Sequence, residues 1–347
     1  MTVVVTGATG HVGGNLVRGL LDRGRRVRAL VLEGEDLRPL EGLDVEIVTG
    51  DVREVESLRR AFAGAEVVYH LAAYISIRLD EGPLLEAINI RGTRNVIDVC
   101  LERSVRRLIH FSSIEAFADA PHDCLIDENA PLAESEDYSP YARSKAAAEK
   151  EVRAGIARGL DTVILYPTGV IGPHDYRPSH FGQVLLDFSS GRLPALVEGG
   201  FNWVDVRDVV EGAIRAEEKA PTGGRYILAG HWVSVAELAT LLEEIVGVKP
   251  PQLTLPMWLA RISTPVVMAV DRLAGRRSLL TPASLKPLRG YRHISHACAA
   301  RDLGYQPRPF KETLIETLQW FEANGSLPRP LLPPYSQMHI SASTPNA

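Results

Sequence analysis

Six short runs of β-branched and apolar residues mark the first half of the chain: Thr2 to Thr6, Val27 to Leu32, Val45 to Val48, Val67 to His70, Leu108 to Ser112 and Thr162 to Tyr166. Stretches with helical patterning separate them. Between the first two runs, Leu16, Val17, Leu20 and Leu21 recur at helical spacing, and Gly24 stands where a helix would stop. Strands alternating with helices predict a parallel sheet in an α/β fold. After Pro167 proline and glycine become frequent. Helices such as Val235 to Val246 and Phe310 to Asn324 are then separated by longer loops, and strands become rare. This organisation predicts a mainly dinucleotide-binding unit over 1–170, a smaller substrate lobe over 171–326 with some return to the sheet, and a loose tail over 327–347, rich in proline and serine.

The composition suits a globular enzyme, with 45% apolar and 23% charged residues in 347. A formal net charge of −5, with basic residues scattered and not blocked, gives no reason to expect nucleic acid as a partner. Cys100, Cys124 and Cys298 lie far apart without CxxC spacing. They fit ordinary thiols in a reducing compartment, with no zinc site. Strand residues begin within two positions of Met1, leaving no room for an export leader, so a cytoplasmic location is expected. Leu253 to Val270 approaches membrane-span length, yet it contains Pro256, Arg261 and Pro265 and ends at Asp271 and Arg272. It reads as amphipathic helices over a substrate site. Stable insertion is not expected, and peripheral association of 253–275 stays open.

The segment Thr6-Gly7-Ala8-Thr9-Gly10-His11-Val12-Gly13 joins the first strand to the first helix. A helix amino terminus offers unpaired amides and a partial positive charge to a pyrophosphate, and glycines there allow the turn and the close approach. With strand, helix and second strand all present, the loop predicts NAD(P) binding. At the end of the second run, Val31-Leu32-Glu33-Gly34-Glu35-Asp36 places three carboxylates before Arg38. Glu33 can hold ribose hydroxyls and would repel a 2′-phosphate, which favours NAD over NADP. Asp51, followed by Val52, can accept from the adenine amino group or simply cap the next helix.

Tyr141 and Lys145 lie four residues apart at the start of an alanine-rich helical run, hence on one face a turn apart. A tyrosine of pKa about 10 is a poor acid or base at neutral pH, but a lysine cation beside it would bring the value toward the working range. Phe111-Ser112-Ser113 falls at the carboxyl end of the fifth run, the edge where ligands bind in such sheets. Ser113 there can orient a substrate oxygen. Tyr138, with Ala142 four residues on, is the weaker candidate.

Together the glycine loop, Gly50-Asp51, His70-Leu71-Ala72-Ala73, Asn89-Ile90-Arg91-Gly92-Thr93, Ser112-Ser113, the Tyr141 and Lys145 pair, and Tyr166-Pro167-Thr168-Gly169-Val170 resemble the extended short-chain dehydrogenase/reductase family, up to about Asn324. The resemblance implies a Rossmann-type doubly wound sheet. It also implies Leu71, Ala72, Ala73, Ser112, Tyr166, Pro167, Thr168 and Val170 near the cofactor, Asn89 supporting the site, and Lys145 also holding the nicotinamide ribose. A homodimer through Leu84 to Glu102 and Ala142 to Ala157 is a further implication. Ser112-Ser113-Ile114-Glu115 is similar to the branch of dihydroflavonol reductases and 3β-hydroxysteroid dehydrogenases, whereas dehydratases carry an aspartate where Ile114 stands. That branch usually has an arginine near Leu32, which is missing here.

Sugar-nucleotide epimerases usually place an arginine where this chain reads Gly200-Phe201. With no phosphate fork there, an uncharged, fairly apolar small-molecule substrate is expected, lined by Phe181, Phe201 and Trp203, though these aromatics could also be ordinary core. The leading expectation is an NAD(P)-dependent oxidoreductase interconverting a ketone and a secondary alcohol, with Ser113, Tyr141 and Lys145 catalytic. A sugar epimerase using tightly held NAD and a non-catalytic dinucleotide-binding protein are the alternatives.

Overall fold

The structure is a computed structural model that describes residues 1–336 apart from 77–80, 120–123, 192, 194, 274–284, 286–287 and 289–291. Its first half runs β1 (Thr2–Thr6), α1 (His11–Leu21), β2 (Arg26–Val31), β3 (Glu46–Thr49), α2 (Val55–Ala61), β4 (Val67–His70) and α3 (Gly82–Leu85). A π-helical segment (Glu86–Gly92) follows, then α4 (Thr93–Glu102), β5 (Arg107–Phe111), α5 (Pro140–Ala157) and β6 (Thr162–Pro167). The six anticipated strands are all present, each within about two residues of its apolar run.

The second half holds more strand than its sequence suggests: β7 (Gly169–Ile171), α6 (His180–Ser189), β8 (Leu196–Val197), β9 (Gly200–Asp205), α7 (Val206–Lys219), β10 (Arg225–Leu228), β11 (His231–Ser234), α8 (Val235–Val246) and β12 (Thr254–Leu255). The described helices α9 (Met257–Leu273), α10 (Ala297–Leu303) and α11 (Phe310–Ala323) complete it. These strands are two to six residues long, too short to show alternation, and their partners are distant in sequence.

Seven strands form one sheet in the order β10-β6-β5-β4-β1-β2-β3, every pairing parallel. β1 sits inside it with both faces covered. Val3 and Val5 join the apolar cluster beneath α1 and α7, while Val4 joins the one beneath α2, α4 and α5. A strand buried on both sides needs an unbroken apolar run, which Val3-Val4-Val5 supplies. The strand order reverses between β1 and β4, opening a crevice at their carboxyl ends.

A third cluster builds the smaller lobe from α6, α8 and α11, around Leu185, Leu242, Leu314 and Leu318. The lobe and the sheet are not divided cleanly at residue 170, because α7, β10 and α10 return to the sheet's core. The expected loose tail is partly docked. Leu331 and Tyr335 are buried in the third cluster, and Leu332 N donates to Ile245 O at 3.0 Å. Two apolar side chains fitting a preformed groove outweighed the proline-rich composition; residues 337–347 of that prediction lie outside the described residues.

Candidate active site

The chain leaves β1 and turns at Gly7, where φ is +68°. A Cβ at Gly7 would lie 2.7 Å from Ala72 N, and one at Gly13 only 2.1 Å from Gly7 O. Glycine is therefore required at Gly7 by conformation and crowding, and at Gly13 by the contact of helix on loop. α1 starts with Gly10 as its cap, no side-chain cap and no acidic residue in its first turn. That leaves uncompensated amides and the positive end of a helix dipole beside Thr9, His11 and Val12. His11 Nε2 lies 3.0 Å from Pro173 O, tying the loop to the chain beyond β7.

Next to this loop runs a buried polar relay. Thr6 Oγ1 accepts from the amides of Leu71 (3.2 Å) and Ala72 (3.1 Å) and lies 2.9 Å from His70 Nδ1. His70 Nε2 lies 3.0 Å from Thr93 Oγ1, which donates to Asn89 O at 2.6 Å. Asn89 Oδ1 accepts from Tyr74 N at 2.7 Å, and its Nδ2 donates to Tyr74 O at 3.0 Å and Ser144 Oγ at 2.9 Å. Ser144 Oγ in turn donates to Tyr141 O at 2.7 Å. Sequence reading singled out Asn89 but gave no role to Thr6, Tyr74 or Ser144. Thr6 and His70 could have been paired from strand order alone, since they face each other in the β1–β4 register.

α5 begins where it does because Ser139 caps it, accepting from Ala142 N at 3.1 Å, and Pro140 fits the first helical position. This start places Tyr141 in the first turn and Lys145 one turn on. The Ser113 hydroxyl neighbours the Tyr141 phenol, and Lys145 Nζ donates to Phe111 O at 3.1 Å. All three groups therefore converge on the carboxyl end of β5. Burial drives the Tyr141 phenol well above its ordinary pKa, Glu115 adds to that rise, and the Ser113 hydroxyl opposes it. Burial brings Lys145 down to about 8. Burial is the largest influence on the phenol, and Lys145 Nζ is directed at the β5 backbone.

Two buried hydroxyls at the same sheet edge, Ser112 Oγ and Thr168 Oγ1, have no hydrogen-bond partner among the described residues. Together with the glycine cradle they fit a polar dinucleotide, because a buried hydroxyl is ordinarily satisfied. Ala73, Pro167 and Val170 are half-buried at the same edge.

Other expected contacts are engaged elsewhere. The Asp51 carboxylate accepts from Arg53 N at 2.8 Å and from its guanidinium at 2.9 Å, and Arg53 holds its pKa below the usual range. It does not cap α2, whose cap is Glu54. Val52 packs into the sheet core. The Tyr166 ring is fully buried against Phe117, centroids 4.7 Å apart, so its side chain belongs to the core. Trp203 is 2% exposed and packed with Phe310, which makes it core rather than lining. Phe181 and Phe201 stack edge-on against it at 4.7 and 5.4 Å and remain half-buried. Beyond β2, Glu33 is exposed, while the fold brings Arg177 within 3.3 Å of Glu35 and pairs Arg38 with Asp36. Arg177 is 142 residues from Glu35, which is why no local pattern revealed it.

A groove of about 570 Å³ lies away from this site. It runs along the opposite face of α5, past Arg143, Ala147 and Lys150.

The sequence pattern of the NAD dependent epimerase/dehydratase family matches residues 3–229, spanning the glycine loop, Ser113, Tyr141 and Lys145. The chain belongs to that family. Among relatives of this epimerase/dehydratase chain, sterol demethylase protein B of Methylococcus capsulatus is 36% identical over 332 residues, covering 94% of this chain and all of that protein. A ketoreductase of Stigmatella aurantiaca, named for 4-hydroxy-2-methyl-3-oxo-4-farnesyl-3,4-dihydroquinoline-1-oxide, is 31% identical and covers 75% of this chain and 78% of its own. The crystal structure of gox2253 superimposes with a TM-score of 0.82 at 34% identity, over 94% of this chain and 99% of that one. Solved sugar epimerases match at 18 to 23% identity, a likeness of fold. Membership makes the chain an NAD-dependent oxidoreductase-type enzyme on an extended short-chain dehydrogenase/reductase scaffold. Among the described residues no helix is long and apolar enough to cross a membrane, and no group of three His, Cys, Asp or Glu could hold a metal ion.

Proposed function

We propose that this family member reduces a ketone on an uncharged, largely apolar small molecule, with Tyr141 as proton donor. The observation that carries the reading is the Ser113 hydroxyl beside the Tyr141 phenol at the end of β5, with Lys145 one helical turn away and bonded to the same strand end. The bound dinucleotide supplies the hydride. Its pyrophosphate would lie on the amides of Gly10, His11 and Val12, and its ribose and nicotinamide along Leu71, Ala72, Ser112, Thr168 and Lys145. Ser113 donates to the substrate carbonyl oxygen and holds it. Tyr141 passes its phenolic proton to that same oxygen, leaving an alcohol and a phenolate to be reprotonated. The phenol is protonated at neutral pH, the state from which it can donate. Asn89 acts as a positioning residue, holding α5 through Ser144.

The substrate class draws on Gly200-Phe201, where no guanidinium is offered to a phosphate, on the exposed edges of Phe181 and Phe201, and on relatives named for a sterol and a farnesylated quinoline oxide. NAD is the proposed cofactor because three carboxylates crowd the end of β2 and both nearby guanidiniums are already paired with two of them. Titration of the purified chain with NADH and with NADPH, followed by a screen of apolar ketones, tests both parts. Tighter NADPH binding would overturn the cofactor assignment. Protein that carries bound NAD and turns over no added cofactor would point to an epimerase. Unchanged cellular function in Tyr141→Phe would point to a non-catalytic binding protein.

A further inference from the structure

Half of the large apolar side chains that stand exposed among the described residues fall within 253–273, seven of fourteen. Elsewhere they occur as scattered residues, which is ordinary. On α9 they form a stripe: Trp258 (63%), Ile262 (67%), Val266 (66%) and Val270 (57%) recur every fourth residue, so they share one face, and Leu273 closes it at 89% exposure. Arg261 is the one charged residue between Met257 and Val270. The helix is anchored on its other face, where Met257 and Ala260 are buried against Val197, Leu255 and Leu288, and Thr264 one turn on is buried too. That anchor is continuous with β9, since Gly200 N donates to Leu288 O at 3.1 Å.

The sequence of this stretch carries a charge opposite to that of the whole protein. From Met257 to His293 the sequence carries seven Lys and Arg against the single acid Asp271, in a chain of formal net charge −5. An apolar face in a cation-rich stretch of sequence is complementary to a layer with an apolar interior and an anionic surface. α9 has 17 residues, about 25 Å of helix, and contains Pro265, so it suits lying along such a layer and not crossing it.

We infer that α9 seats the protein on an anionic phospholipid surface, with Trp258, Ile262, Val266 and Val270 entering the acyl boundary and the net positive charge of this stretch of sequence drawing it to the headgroups. The substrate lobe then lies against the lipid. An alternative occupant, a second copy of the chain or its own residues 274–291, would satisfy the stripe without lipid.

Flotation of the full chain with vesicles of phosphatidylcholine alone, and with about 30 mol% phosphatidylserine added, separates these cases. The expected result is binding to the anionic vesicles, weakened by salt, and lost by about tenfold or more in the Ile262→Glu, Val266→Glu variant. Both substituted residues are solvent-exposed, so dinucleotide binding and thermal unfolding should be retained in that variant. Absence of binding to either vesicle, or equal binding by the variant, overturns the inference. A dimer in light scattering that the same variant dissociates, without vesicle binding by the parent chain, overturns it in favour of self-association.

Discussion

Asn89 and Ser144 are hydrogen-bonded at 2.9 Å across the junction between the π-helical segment and α5, and Ser144 passes the link to the backbone of Tyr141 at 2.7 Å. The widened turn of a π-helix is commonly found at functional positions. Here it carries an asparagine whose amide satisfies both backbone groups of Tyr74 while holding the catalytic helix.

Replacing Asn89 with leucine would remove its hydrogen bonds to both backbone groups of Tyr74 and to Ser144 Oγ, at a cost of about 1 kcal/mol for each bond lost. The expected outcome is a lower urea midpoint together with a fall in kcat that exceeds any change in KM. Asn89→Asp, which keeps the acceptor for Tyr74 N, should recover part of the kcat. A variant with normal kcat would remove the positioning role.

Tyr141→Phe should lower kcat/KM by about 100- to 10,000-fold, the usual contribution of a placed acid, while the dinucleotide still binds. Ser113→Ala leaves the acid in place and should cost about 100- to 1,000-fold through the lost hydrogen bond to the substrate oxygen. Steady-state kinetics beside a fluorescence titration of NADH distinguish these effects from misfolding.

Lys145 titrates at about 8 because burial disfavours its charge. A reaction helped by the ammonium should therefore lose kcat/KM as pH rises through that value. Lys145→Arg keeps a cation at all accessible pH and should abolish this limb even if its overall rate is lower. Persistence of the same limb in the arginine variant would assign the titration to another group.

Buried histidines set the acid limit of stability. His70 is lowered to about 3 by burial and by Lys145, and its neighbour His110, ring centroid 5.4 Å away, is lowered by burial, His70 and Lys145. Both bind protons more readily unfolded than folded. Stability is therefore complete above the unfolded value of about 6.5 and declines as pH falls toward the folded one. At pH 5 the loss is about 2 kcal/mol for each such histidine. His110 makes no hydrogen bond among the described residues, so His110→Phe should flatten the dependence of the urea midpoint between pH 7 and 5.

Gly13→Ala puts a methyl 2.1 Å from Gly7 O, against backbone that cannot move aside without displacing α1. Loss of dinucleotide affinity and a destabilisation of about 1–3 kcal/mol, read from thermal unfolding, are expected. Gly24→Ala, with no atom within 4 Å of the added carbon but a φ of +68°, should cost stability without touching affinity.

The sequence by itself determined the alternation that makes a parallel sheet, because Val3-Val4-Val5 and the runs like it are long enough to be buried on both faces and are spaced by whole helices. It also placed the glycine turn and the start of α5, since Gly7, Gly13, Ser139 and Pro140 act on their immediate neighbours. What lay beyond it was decided by contacts between distant residues. Arg177 reaching Glu35, Asn89 reaching Ser144 and Tyr335 filling the lobe are separated in sequence by 55 residues or more, or depend on a groove that several helices build together. The surroundings of Tyr141 belong to the same class. Spacing put a lysine one turn away, but the burial of the phenol and the Glu115 carboxylate, both of which raise its pKa, exist only in the packed molecule.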